Sequence, residues 1–210
     1  AWDSYRRFIQ MFSGVVMGVS GQLFEDAISA KKAEKGVTLD TELTANDLRE
    51  LVTWFKGIFA ANVDVKEHPE VSKGGFAVFP SDPYLQLRLA EQAVFGSWMN
   101  DRAILYRKQN KIPDDLGTAV NVQVMVFGNK GETSATGVAF TRNPADGTNE
   151  RYGDFLVNAQ GEDVVAGIRN TEPITDLVKV PALKQAGEEL FHVFEILEDH
   201  YADMMDIEFT

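Results

Sequence analysis

The hydrophobic residues of this 210-residue chain change their period part-way along, and that change narrows the possible folds more than any other feature. Up to about residue 112, apolar side chains recur every three or four positions, the spacing of one buried helix face. Tyr5, Phe8, Ile9, Phe12, Val15, Val16 and Val19 form one row, and Leu23, Phe24, Ala27 and Ile28 a second that Gly36 ends. Leu48, Leu51, Val52, Phe55 and Phe59 form a third, opened by Thr44 and Asp47 as a capping box with Asp in the Glu position. A fourth starts at Asp82-Pro83 and runs through Leu85, Leu89, Ala93, Val94 and Trp98 toward Tyr106. Asp accepts from free backbone N–H groups there, and Pro suits the first helical position. Residues 62–80, with His68-Pro69 and Gly74-Gly75, read as an irregular connection. After Pro113 the period falls to two or gives way to β-branched runs. Residues 119–127 (AVNVQVMVF), 137–141 (GVAFT), 154–159 (DFLVNA) and 204–210 read as strands, and a helix opens at Pro181. The chain is therefore expected to be α+β, a helical subdomain over 1–112 followed by an α+β lobe over 113–210.

Charge divides at the same place. Residues 1–112 carry 14 acidic and 14 basic side chains, whereas 113–210 carry 18 and 6, so the whole formal charge of -12 belongs to the second half. An acidic surface without a basic patch disfavours nucleic acid and anionic membrane surfaces as partners. No apolar run reaches the roughly 18 residues of a bilayer span. The chain has no Cys, which excludes disulfides, thiolate metal sites and a thiol nucleophile and suits a cytoplasmic setting. The start lacks both a signal-peptide pattern and an initiator Met, and the last residues read as a strand, so a piece of a longer polypeptide is expected.

Three constellations carry possible chemistry. In Asp206-Ile207-Glu208 the two carboxylates project to the same face of a strand. Paired hard oxygen ligands suit Mg²⁺ bridging nucleotide phosphates, although alternation of charged and apolar residues equally describes a half-exposed strand. The loop GNKGETSATG, Gly128 to Gly137, offers backbone N–H groups and hydroxyls to an anion, yet it also fits a plain hairpin loop and is no Walker A motif. Asn158 to Asp163 gathers polar groups at the end of a strand, as a ligand site or a solvated turn would. His68, His192 and His200 show no ligand or catalytic spacing.

Taken together, LGTAVNVQVMVFGNKGETSATGVAFTRNP (116–144), YGDFLVNAQGEDVVAGIRNTEPI (152–174) and MMDIEFT (204–210) resemble the nucleotide-binding domain of the pyruvate phosphate dikinases. YRRFIQMFSGVVMGV and FGSWMNDRAILYRK are similar to the helical segment of that family, so the likeness covers essentially the whole chain. NAQGEDVVAGIR and VFGNKGETSATGVAFTRNP set it apart from the related phosphoenolpyruvate synthases.

The resemblance implies an ATP-grasp lobe with ATP and Mg²⁺ as its ligands. It implies a parent phosphotransferase, a homodimer, that phosphorylates a histidine on a swivelling domain and passes the group to pyruvate bound in a barrel of the same polypeptide. ATP, phosphate and pyruvate are interconverted with AMP, pyrophosphate and phosphoenolpyruvate. By this likeness Asp206 and Glu208 are the Mg²⁺ ligands, and Gly131, Thr136 and Gly137 belong to the loop over the polyphosphate. The strand with Gln123, Met125 and Val126 meets the adenine edge, and Gln160 and Glu162 lie near ribose or cation. No catalytic residue is assigned within the chain. The family's phosphate-holding lysine and arginine fall before residue 1 in the usual order and its Gln-Thr-Arg strand after Thr210, so the 210 residues alone are expected to be nearly inert. The competing expectation is a non-catalytic helical docking module joined to a degenerate nucleotide lobe.

Overall fold

The row of apolar residues beginning at Tyr5 forms α1 (Trp2–Met11) in a computed structural model of the chain, which describes residues 1–165, 167 and 169–210. Ala166 and Ile168 of the NAQGEDVVAGIR stretch lie outside the described residues. The expected helix does not continue regularly to Val19: a π-helical turn, Phe12–Val16, succeeds α1. There the Ser13 hydroxyl donates to the Ile9 carbonyl (2.6 Å) and the Val19 N–H to the Ser13 carbonyl (3.0 Å). A wider turn shifts the phase of the residues C-terminal to it. Val15, expected on the buried face, is consequently exposed, while Phe12, Met17 and Val19 are buried.

Two compact units are present, residues 1–122 and 123–210; the division comes later than the change of period at 112/113. The first holds α1, α2 (Gln22–Lys35), α3 (Ala45–Asn62), a two-residue-stranded hairpin of β1 (Ser72–Lys73) and β2 (Phe76–Ala77), α4 (Pro83–Ser97) and α5 (Asp101–Asn110). Its core joins Ile9, Phe12, Phe24, Leu51, Phe55 and Phe59. Phe79, from the expected irregular connection, lies amid four rings, with centroids 5.2 Å from Phe59, 5.5 Å from Phe12, 6.0 Å from Phe8 and 6.5 Å from Tyr5, all edge-on. The helix expected to run from Pro83 toward Tyr106 is interrupted, because the Asn100 side chain accepts from the Ala103 N–H and starts α5 afresh.

The capping box is formed. The Thr44 N–H and hydroxyl donate to Asp47 Oδ2 (3.0 and 2.6 Å), the Asp47 N–H returns to Thr44 Oγ1, and Lys35 Nζ lies 3.0 Å from Asp47 Oδ1. The Thr44 hydroxyl first, then Lys35 and the Thr44 N–H, lower the Asp47 pKa to about 2. An Asp in an unfolded chain titrates near 3.9. A carboxyl depressed by folding stabilises the fold above its unfolded pKa, and that contribution disappears as pH falls through about 2. Acid titration of the chain followed by circular dichroism should therefore show Asp47→Asn losing less stability than the parent between about pH 4 and pH 2; equal losses would contradict this assignment.

The second unit is built on a four-stranded antiparallel sheet, ordered β5 (Glu172–Pro173), β4 (Tyr152–Val157), β3 (Ala135–Phe140), β6 (Asp206–Phe209). Alternation sorts its two faces. Ala139, Phe155, Ile207 and Phe209 join Ile174, Leu177 and, from α7 (Lys184–Tyr201), Phe191 and Phe194. On the other face Val138 packs against Leu156, Ala159 and Val164, the last from the short α6 (Gly161–Val165). One expected strand is missing: residues 119–127 form neither helix nor strand, and Val124 is 94% exposed. Their β-branched composition favours a strand, but a strand exists only through a ladder. Among the described residues no neighbour supplies one. Among them, too, no helix is long and apolar enough to cross a membrane.

Candidate functional site

The four residues of β6 are held at both ends by threonine hydroxyls from around β3. At the start, Thr141 and Met205 exchange hydrogen bonds: the Thr141 N–H donates to the Met205 carbonyl, and the Met205 N–H to Thr141 Oγ1, both at 3.0 Å. The same hydroxyl donates to Glu198 Oε1 on α7 (2.7 Å), to which Arg142 Nε also reaches (2.9 Å). The Thr141 hydroxyl, and after it Arg142, hold the Glu198 carboxyl below its usual range. At the other end Thr136, buried, donates to the Phe209 carbonyl (3.0 Å) and lies 3.1 Å from the Thr210 hydroxyl. Between them the Phe209 ring lies flush on Gly137. A Cβ on that glycine would come within 2.5 Å of both the ring and the Asp154 carbonyl, so the close approach requires glycine.

This clasp fixes which way the carboxylates point. Glu208 pairs with Val138 and Asp206 with Phe140, so both acids share the face opposite Ile207 and Phe209. Both are exposed, and among the described residues neither makes a side-chain hydrogen bond or ion pair. A cavity of about 400 Å³ opens on this face, lined by Thr136, Gly137, Glu162, Val165, Glu208 and Thr210 among others. Four residues singled out in the sequence are thus brought together: Thr136, Gly137, Glu162 and Glu208. Asp206 lies two residues away on the same face.

The remaining candidates lie elsewhere. Gly131 and Gln160 do not line the cavity; they occupy two adjoining segments that hydrogen-bond to each other, with Gln160 Nε2 3.5 Å from Asn129 Oδ1. The Gln160 N–H donates to Asp163 Oδ2 (2.9 Å), closing the turn into α6. Gln123, Met125 and Val126 lie in the stretch without regular structure, and Met125 is 69% exposed, so the strand expected to bear the adenine contacts is not formed. Thr141 and Glu198 are not marked as site residues by the sequence, and Asn158 is marked only as one of the polar groups of 158–163. Positions 141 and 198 are 57 residues apart, and no local pattern marks such a pair.

The donor set fits a small hard cation. An unpartnered carboxylate lining the cavity, Glu208, with a second, Asp206, on the same strand face matches Mg²⁺, which keeps several waters and takes one or two carboxylates together with phosphate oxygens. Among the described residues no three acidic or imidazole side chains converge as a self-sufficient metal cluster.

The family described as "Pyruvate phosphate dikinase, AMP/ATP-binding domain" matches residues 20–186. The chain belongs to this family. Dikinase relatives align over its full length, β6 included. The pyruvate, phosphate dikinase of Clostridium symbiosum is 53% identical over 210 residues, 100% of this chain and 22% of the relative. The chloroplastic pyruvate, phosphate dikinase 1 of Oryza sativa subsp. japonica is 54% identical over 210 residues, again 100% of this chain and 21% of the relative. That of Rhizobium meliloti (strain 1021) is 51% identical, covering 100% of the chain and 23% of the relative. The chain thus spans about a fifth of the length of the dikinases it matches. Its α+β architecture agrees with the ATP-grasp-like lobe of the family.

Proposed function

We propose that the cavity beside β6 receives the polyphosphate of ATP, and that this chain is the nucleotide-binding part of a longer dikinase. The reading rests on one observation: Glu208 lines the cavity with Thr136, Gly137 and Glu162, and Asp206 presents its carboxylate on the same face. In it Asp206 and Glu208 hold Mg²⁺, which when bound offsets charge on the phosphate oxygens. Thr136 sets the end of β6, and Gly137 lines the cavity while its reverse side seats the Phe209 ring. Gly131 belongs to the loop at the cavity's approach, and Gln160 and Glu162 border the nucleotide. Gln123, Met125 and Val126 meet the adenine once a ladder partner orders their segment.

The longer polypeptide converts ATP, phosphate and pyruvate to AMP, pyrophosphate and phosphoenolpyruvate through a phosphorylated histidine on a mobile domain. Phosphoryl transfer depends on positioning and on cationic groups around the transferring phosphate. Among the described residues, the cavity lining contains carboxylates and hydroxyls but no Lys or Arg. Carboxylates without such cations bind MgATP weakly and transfer nothing by themselves. Isothermal titration of the 210-residue chain with MgATP is therefore expected to give a Kd no tighter than about 100 μM, in the weak range of affinities. Submicromolar binding would show that the site is complete without further cationic groups and would overturn this account.

A second reading, a helical docking module with a degenerate lobe, is favoured by the exposure of Tyr84, Phe95, Met99, Leu105 and Tyr106 on and around α4 and α5. It predicts no response to MgATP at any concentration, so the same titration separates the two.

A further inference from the structure

The glycine-rich loop and the polar turn after β4 are separate features of the sequence, 128–137 and 158–163. In the fold they are one hydrogen-bonded unit. Asn158 stands at its centre and bonds to three different partners. Its Oδ1 accepts from the Gly131 N–H (3.1 Å), its own N–H donates to the Ser134 carbonyl (2.8 Å), and its carbonyl accepts from Arg169 Nη1 (3.1 Å). Next to it the Ala159 N–H donates to the Gly128 carbonyl (2.9 Å). The loop has its own brace in Ser134, whose hydroxyl accepts from the Lys130 N–H and lies 2.9 Å from the carbonyl oxygens of Gly128 and Gly131.

Backbone conformation singles out Asn158 further. It is one of three described non-glycine residues with positive φ, at 51°. Asn tolerates this left-handed region better than nearly any other non-glycine residue, because its short polar side chain bonds locally. The side chain is then directed at Gly131, whose φ of 118° is open only to glycine. Two unusual backbone conformations, 27 residues apart, are therefore joined by one side-chain hydrogen bond. Strain of this kind persists where the surroundings over-determine it, and it collects at ligand sites.

We propose that Asn158 is a positioning residue: it holds the glycine-rich loop in one shape from the opposite segment and thereby sets how well that loop receives a nucleotide phosphate. The proposal rests on the ATP reading of the neighbouring cavity. It adds a residue that touches no phosphate and acts through Gly131.

The test uses the ¹⁵N-labelled 210-residue chain and two variants. Asn158→Gly keeps the left-handed backbone at no steric cost and removes only the clamp. Asn158→Asp keeps both an acceptor and a tolerance for that backbone. Without nucleotide, the Gly131 amide is expected to exchange with solvent about tenfold faster in Asn158→Gly, the factor carried by one lost hydrogen bond, and at the parent rate in Asn158→Asp. On addition of MgATP, the midpoint of the amide shifts in residues 128–137 is expected to rise severalfold in Asn158→Gly, with the amides of residues 1–122 unmoved. Parent-like Gly131 exchange in Asn158→Gly would overturn the clamp. Fast exchange with an unchanged MgATP midpoint would overturn its role in binding. If no loop amide of the parent moves with MgATP, the ATP reading of the cavity fails instead, while the exchange rates still decide whether Asn158 holds the loop.

Discussion

Replacing Asp206 by Asn and Glu208 by Gln together is expected to reduce ATP-dependent phosphoryl transfer by at least about 10²–10³-fold, the scale on which loss of one preorganised electrostatic group is felt. The measurement is AMP formation by a chimera in which these 210 residues replace the matching segment of the Clostridium symbiosum dikinase, to which they are 53% identical. Neither carboxylate is buried and neither has a side-chain partner among the described residues, so the double variant should melt with the parent. Surface substitutions of this type usually change stability by less than about 0.5 kcal/mol. The effect is thereby separated from misfolding. The single variants should each lose most of the activity, because one carboxylate in place of two leaves the cation underbound. A double variant with the parent's turnover would remove the acidic pair from the chemistry and leave the docking reading standing.

The second large effect concerns stability and belongs to the first unit alone. Phe79 is 6% exposed and touches the rings of Tyr5, Phe8, Phe12 and Phe59, so it ties α1 and its π-helical turn to α3 through a residue outside any helix. Phe79→Ala should destabilise that unit by about 3–5 kcal/mol, and Phe79→Leu by clearly less. The reporter is already present. All three tryptophans, Trp2, Trp54 and Trp98, lie within residues 1–122, so urea unfolding followed by tryptophan fluorescence reads this unit and not the other. A midpoint shift in Phe79→Ala no larger than in a surface substitution such as Lys73→Ala would show that the aromatic cluster is dispensable.

What the sequence revealed depended on the range of the interaction. The capping box of Thr44 and Asp47, the Asp82-Pro83 helix start and the shared face of Asp206 and Glu208 are set within four residues, and each forms as its spacing implies. The α+β order was likewise legible, since periodicity is a local property. Where the outcome depends on a partner far along the chain, the local pattern was insufficient. Residues 119–127 have strand composition and no ladder; Phe79 sits in what reads as a connection and is a core residue; Asn158 looks like a turn polar residue and clamps a loop 27 positions earlier. The π-helical turn after Met11 is a subtler case, because its apolar spacing continues the helix row while Gly14 and the β-branched Val15 and Val16 weaken the regular helix.

A strand repeats its side-chain direction every second residue, so a slip of β6 by one position against β3 would turn Asp206 and Glu208 into the apolar layer under α7 and push Ile207 and Phe209 out to water. The seat of the Phe209 ring on Gly137 forbids that slip, since no other residue of β3 offers the ring the same hollow beside the Asp154 carbonyl. The facing of the carboxylate pair, on which the proposed Mg²⁺ reading depends, is therefore guarded from the reverse side of the sheet, by a phenyl ring on the opposite face. A substitution there that preserved every acidic group could still erase the site by inverting it.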